Sequence, residues 1–143
     1  MARKPKIKSY VLDSWAVLAY LEDEPHGEKV ADVLADAYEA GESVMMTVVN
    51  AGEVWYIIAR ETSEAEAEKS ITELKDLGIE FVDVDWKLTH EAAAFKAKHS
   101  MSFADCFAAA LAKDRKAFLV TGDPEFKQVA GVVQLHIVNE EEW

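Results

Sequence analysis

Four carboxylates in this 143-residue chain stand where the neighbouring sequence would suit an apolar or neutral side chain: Asp13, Glu53, Asp105 and Asp123. Asp13 closes the apolar run Val11-Leu12, and Glu53 interrupts an apolar helical stripe midway between Val49 and Ile57. Asp105 is the ionisable group of the run Phe103 to Leu111 apart from the weakly acidic Cys106, and Asp123 follows Val120-Thr121-Gly122. Each has a structural reading of its own. Asp13 suits a strand-end turn or helix cap, Glu53 a solvated helix face, Asp105 a capping box with Ser102, and Asp123 a Gly-Asp-Pro turn. Brought together, the four would repel one another and raise each other's pKa, and a buried cluster of this kind calls for a cation. One cysteine and four histidines without paired spacing give zinc no ligand set. Oxygen donors favour a hard ion, Mg²⁺ or Mn²⁺. An ion so held activates water and offsets charge on a phosphoryl oxygen, so metal-assisted phosphodiester hydrolysis is the chemistry expected.

Convergence depends on the elements that carry these residues. Residues 7–13 read as a strand ending at Asp13, with Ser14 capping a helix over SWAVLAYL. Pro25 opens a second helix that stops at Gly41, SVMMT (43–47) is a second strand, and a helix over 49–60 follows. Ser63 and Glu66 form a capping box for a helix ending at Gly78, and IEFVDV (79–84) is a third strand. Asp85 caps a helix to Lys98, and Ser102 caps the next. AFLVT (117–121), a short helical piece after GDPEF, and QLHIV (134–138) complete the chain. Strands alternating with helices predict a mostly parallel sheet covered on both faces, with a ligand site outside the carboxyl ends of the strands. Two of the four acids then fall at strand ends and two in the early turns of helices starting there. No repeat, low-complexity tract or linker divides the sequence, so residues 1–143 are expected to form one domain.

Composition narrows the classes further. Half the residues are hydrophobic and 29% are charged, which excludes a disordered or collagen-like chain. The basic start (Arg3, Lys4, Lys6, Lys8) before an apolar stretch imitates a secretory signal, but Asp13 interrupts the stretch and Glu22, Asp23 and Glu24 follow it. No segment reaches the roughly 18 consecutive apolar residues of a membrane helix. A cytoplasmic protein is expected, in a reducing compartment. The net charge of −12 opposes indiscriminate binding to nucleic acid and favours cations or basic partners.

Four sequence blocks together resemble the PIN-domain ribonucleases, and within them the VapC-type toxins of toxin–antitoxin pairs. They are VLDSWAVLAYL with Asp13, Thr47-x-x-Asn50-x-x-Glu53, SFADCFAAALA with Asp105, and LVTGDPEF with Asp123. The resemblance implies a three-layer α/β/α PIN-like fold with a five-stranded parallel sheet and a Mg²⁺- or Mn²⁺-dependent endoribonuclease centre. It implies that Asp13, Glu53, Asp105 and Asp123 are the acidic quartet, with Thr47, Asn50 and Thr121 as orienting polar residues. It also implies a homodimer and a cognate antitoxin that places an Arg or Lys in the acidic cluster.

Phosphate contacts need cations, and Arg60, two turns after Glu53 on the same helix face, is one candidate; Lys96 and Lys98, ahead of the Asp105 helix, are others. Trp15, Tyr20, Trp55 and Tyr56 suit either core packing or a partner groove. Two alternatives compete. One is a catalytically silent PIN-like interaction module. The other is a Mg-dependent phosphoryl-transfer domain, for which the sequence lacks the expected acids: position 15 is Trp, where a haloacid-dehalogenase-like phosphatase needs Asp, and position 47 is Thr, where a receiver domain would carry its central Asp.

Overall fold

The computed structural model describes residues 7–22 and 25–138; Arg3, Lys4, Lys6, Asp23 and Glu24 lie outside them. Five strands form one parallel sheet: β1 (Ser9–Leu12), β2 (Ser43–Thr47), β3 (Glu80–Val82), β4 (Phe118–Thr121) and β5 (Gln134–Ile137), in the spatial order β3-β2-β1-β4-β5. β1 is central, with β2 on one side and β4 on the other, so the strand order reverses at β1. The crevice above that reversal is where a parallel sheet accepts a ligand.

The strands are apolar on both faces because both are covered. Val11, Met45 and Leu119 point into a core with α5 (Trp86–Lys98), α6 (Phe103–Arg115) and a short 3-10 helix (Pro124–Val129). Leu12, Val44, Met46 and Val120, one residue out of phase, pack under α1 (Ser14–Leu21), α2 (Gly27–Ala40), α3 (Val48–Glu61) and α4 (Glu64–Asp76). This is the α/β/α sandwich expected, and the period-two alternation accounts for both apolar layers.

Local signals explain the element boundaries. Ser63, Asp85 and Ser102 accept from the backbone N–H of Glu66, Leu88 and Asp105, as their capping patterns predict. Gly41 follows α2 at φ 69°, a left-handed position that glycine adopts without strain. Several boundaries differ from expectation: β1 starts at Ser9 rather than at residue 7, and α2 starts at Gly27, two residues after Pro25. Asp13, not Ser14, caps α1, accepting from the Ala16 N–H at 2.8 Å, while Ser14 is the first helical residue. The third strand is shorter than the run 79–84, because Asp83 and Val84 extend past the end of β2 and have no neighbour to pair with. Among the described residues no helix is long and apolar enough to cross a membrane.

Candidate metal centre

The N-caps of α1, α3 and the 3-10 helix all lie at the carboxyl edge of the sheet, and two of them are acids. Asp13 is fully buried at the end of β1. Its Oδ1 accepts from Ala16 N, and its Oδ2 accepts from the Thr121 hydroxyl at 2.5 Å. Thr121, at the end of β4, in turn accepts from the Asp123 N–H at 3.0 Å, so one buried hydroxyl ties the first acid to the turn that carries the last. Asp123 caps the 3-10 helix through Glu125 N at 2.9 Å.

Asp105 enters from the first turn of α6, behind its Ser102 cap. Ligand oxygens of Asp105, Asp123 and Glu125 lie within 4.8 Å of one another. Glu53, half-buried on α3, borders this group and acts electrostatically on Asp105. The four sequence-predicted acids thus share one neighbourhood, and Glu125 joins them. Glu125 carries no signal in the sequence, since an acid two residues after a turn Asp is ordinary; only the 3-10 geometry turns both carboxylates to one side.

Crowding and burial raise the pKa of two of the acids. Loss of solvent raises the Asp13 pKa to about 8, opposed by the hydrogen bonds from Thr121 and Ala16 and reinforced by Asp105 and Asp123. Asp105 is raised to about 6, again mainly by burial, opposed by Ser102 and reinforced by Asp123, Glu53 and Glu125. A cation among them would relieve both. The donors are carboxylate oxygens, several on one side of a crevice, and this set fits a hard divalent ion.

Thr47 and Asn50 hold the helices that frame the centre. Both are fully buried. Thr47 caps α3 through Asn50 N at 3.0 Å and donates its hydroxyl to Asn50 Oδ1. Asn50 Nδ2 donates to Ser14 Oγ at 3.4 Å and to the Ala104 carbonyl at 3.1 Å, and Ser14 Oγ donates back to the Asn50 carbonyl. One amide therefore pins the starts of α1, α3 and α6. Ser14, read from sequence as a cap, belongs to this network.

The candidate cations differ in circumstance. Lys96 donates to the Met101 carbonyl at 2.7 Å, across the loop leading to α6. Lys98 is exposed near the end of α5. Arg60 is exposed and stacks over the Tyr56 ring, 5.0 Å from its centroid.

The turn that presents Asp123 also depends on a close approach. A Cβ at Gly122 would overlap the six-membered ring of Trp15, which also lies 5.9 Å from the His26 ring. Gly122→Ala is therefore expected to displace the Asp123 turn and weaken Mn²⁺ binding about tenfold, the scale of losing a supporting contact at a metal site. Adding Trp15→Leu should recover part of that loss, as read by Mn²⁺ titration of the single and double variants.

Fold and site together define an α/β/α protein with an acidic, oxygen-donor centre at the strand reversal. A PIN domain family model matches residues 10–132, and the chain belongs to that family. Among similar solved structures is DNA-bound VapBC from Salmonella typhimurium, at 13% identity and TM-score 0.71, covering 93% of this chain and 99% of that one. Another is VapBC2 from Rickettsia felis bound to a promoter DNA fragment, at 16% identity and TM-score 0.70, covering 90% and 98%. A third is VapC20 from Mycobacterium tuberculosis, a toxin that cleaves the sarcin-ricin loop, at 19% identity and TM-score 0.69, covering 87% and 97%. These establish likeness of fold. A search of curated proteins by sequence finds no match.

Proposed function

We propose that the chain is a Mg²⁺- or Mn²⁺-dependent endoribonuclease and the toxin of a toxin–antitoxin pair, acting in the cytoplasm as a homodimer. The observation that carries this reading is the grouping of Asp105, Asp123 and Glu125 beside the buried, Thr121-bound Asp13 at the strand reversal of a PIN fold. Asp13, Glu53, Asp105 and Asp123 would hold the ion, with Glu125 as a further oxygen donor. A divalent ion supplies activated water and a counter-charge for the phosphoryl oxygens of the scissile bond.

The chain's own residues set the rest. Thr121 keeps Asp13 in one orientation and fixes the Asp123 backbone. Asn50, with Thr47, fixes the first turn of α6 and thereby Asp105. Burial of Asp13 leaves it protonated near neutral pH until a cation displaces the proton. An inhibitory antitoxin fits the same electrostatics: an Arg or Lys entering the cluster would meet the charges that a metal otherwise offsets.

RNA cleavage by the native chain, stripped with EDTA and resupplied with Mg²⁺ or Mn²⁺, tests the proposal alongside Glu53→Gln and Asp105→Asn. Metal-restored cleavage that falls about 100-fold in Asp105→Asn is expected. Full activity in EDTA, or undiminished activity in both variants, would refute it. An inactive native chain that still binds a basic peptide would favour the silent interaction module.

A further inference from the structure

We infer that the face of α3 running outward from Glu53 is a subsite for an unpaired nucleotide beside the scissile phosphate, with the Tyr56 ring stacking its base and Arg60 taking an adjoining phosphate. This rests on the ribonuclease reading above and adds residues that the metal centre does not use.

Position comes first. At about 100° per residue, Glu53, Tyr56 and Arg60 fall within an arc of roughly 60° on α3, Tyr56 about 4.5 Å and Arg60 about 10 Å along the axis from Glu53. Glu53 borders Asp105, and α3 packs on α6, so this stripe begins at the carboxylates and leads away over the surface. Tyr56 is 43% exposed, so part of its ring is open to a ligand.

Charge comes second. The chain has 27 acidic and 15 basic side chains, so a surface arginine has many possible partners. Among the described residues Lys87, Lys113 and Arg115 find one, whereas the exposed Lys98 does not. Among the described residues Arg60 makes no ion pair and instead lies on the Tyr56 ring. Lys96 is committed to the Met101 carbonyl. Arg60 can therefore receive a phosphate without breaking an ion pair, close to a centre whose own charge repels RNA. Its planar guanidinium, already stacked, loses less freedom on binding than a loose lysine would.

Chemistry comes third. Every nucleobase has a π face, and an aromatic ring beside a cation is the standard means of holding a single strand without reading its sequence. A base inside a duplex is stacked on its neighbours and cannot present that face. The subsite accordingly selects unpaired RNA.

Fluorescence anisotropy of a labelled, unpaired oligoribonucleotide tests this in EDTA at low ionic strength, where cleavage does not interfere. Tyr56→Leu should weaken binding about tenfold, and Tyr56→Trp should stay within about twofold of native. Arg60→Gln should weaken binding severalfold and reduce the salt slope by about one. Tyr38→Leu is the control: Tyr38 is 84% exposed on α2, by the amino ends of the strands, and its loss should change nothing. Annealing the complementary strand should abolish the difference between native and Tyr56→Leu.

Native affinity in both Tyr56→Leu and Arg60→Gln would overturn the inference, as would altered self-association with RNA binding intact. The two readings separate cleanly. A native chain that binds through Tyr56 yet never cleaves leaves the subsite standing and removes the nuclease. Metal-dependent cleavage with unchanged KM in both variants does the reverse.

Discussion

Asp13→Asn is expected to lower RNA cleavage about 100-fold while making the metal-free protein more stable at high pH. The two effects have one cause. Asp13 is fully buried, and its pKa rises from 3.8 unfolded to about 8 folded. Between those values the folded chain keeps a proton that the unfolded chain releases, so stability falls as pH rises through the window. The slope is about 1.4 kcal/mol per pH unit for a single group with so large a shift. Asp105, raised to about 6, adds in the same direction over the lower part. Asparagine removes the Asp13 titration, and its side-chain oxygen can still cap α1 through Ala16 N. Denaturant unfolding in EDTA should therefore show Asp13→Asn gaining on the native chain steadily as pH rises from about 4 to about 8. Saturating Mn²⁺ should narrow the gap by stabilising the native chain. Equal pH dependence in the two proteins would contradict this.

Asn50→Leu is expected to cost about 3 kcal/mol of stability, although leucine is close in volume and the site is buried. The native amide serves the Thr47 hydroxyl, the Ser14 hydroxyl and the Ala104 carbonyl. Leucine leaves these in the interior without it, and each buried polar group so abandoned costs about 1–3 kcal/mol, part of which relaxation recovers. The loss should appear as a lower unfolding midpoint at unchanged m-value. Activity should fall further than stability alone accounts for, because the first turn of α6 carries Asp105. A variant with native stability and native metal affinity would show that the network is incidental.

Much of this architecture is legible in the sequence because the signals are local. Ser63, Asp85 and Ser102 each precede their helix with a side chain that can accept from the third residue on, and each does so. The strands read correctly because apolar residues on both faces leave few other ways to bury them. Asp13 and Ser14 were harder to order: both can cap, and Asp13 takes the role because Thr121 already holds its other oxygen at the strand end. The quartet emerged from acids set among apolar neighbours. Glu125 did not, since its place depends on a 3-10 turn rather than on its flanks. The differing states of Lys96 and Arg60 were equally invisible, because a carbonyl or a ring as partner is a matter of tertiary placement. The net charge of −12 reads differently once a handful of carboxylates is assigned to a cation site. It then limits indiscriminate binding and leaves affinity for RNA to the metal and to local cations.

If these carboxylates share one cation, its binding must displace the proton that burial leaves on Asp13, and metal binding measured with its proton balance reads both at once. Calorimetric titration of Mn²⁺ into the EDTA-stripped native chain at about pH 7, repeated in buffers of different ionisation enthalpy, reports both affinity and protons released. Saturable binding with release of about one proton, chiefly from Asp13, and loss of that release in Asp13→Asn are expected. Absence of saturable binding to the native chain, or binding with the same proton release in Asp13→Asn, would contradict a shared cation site.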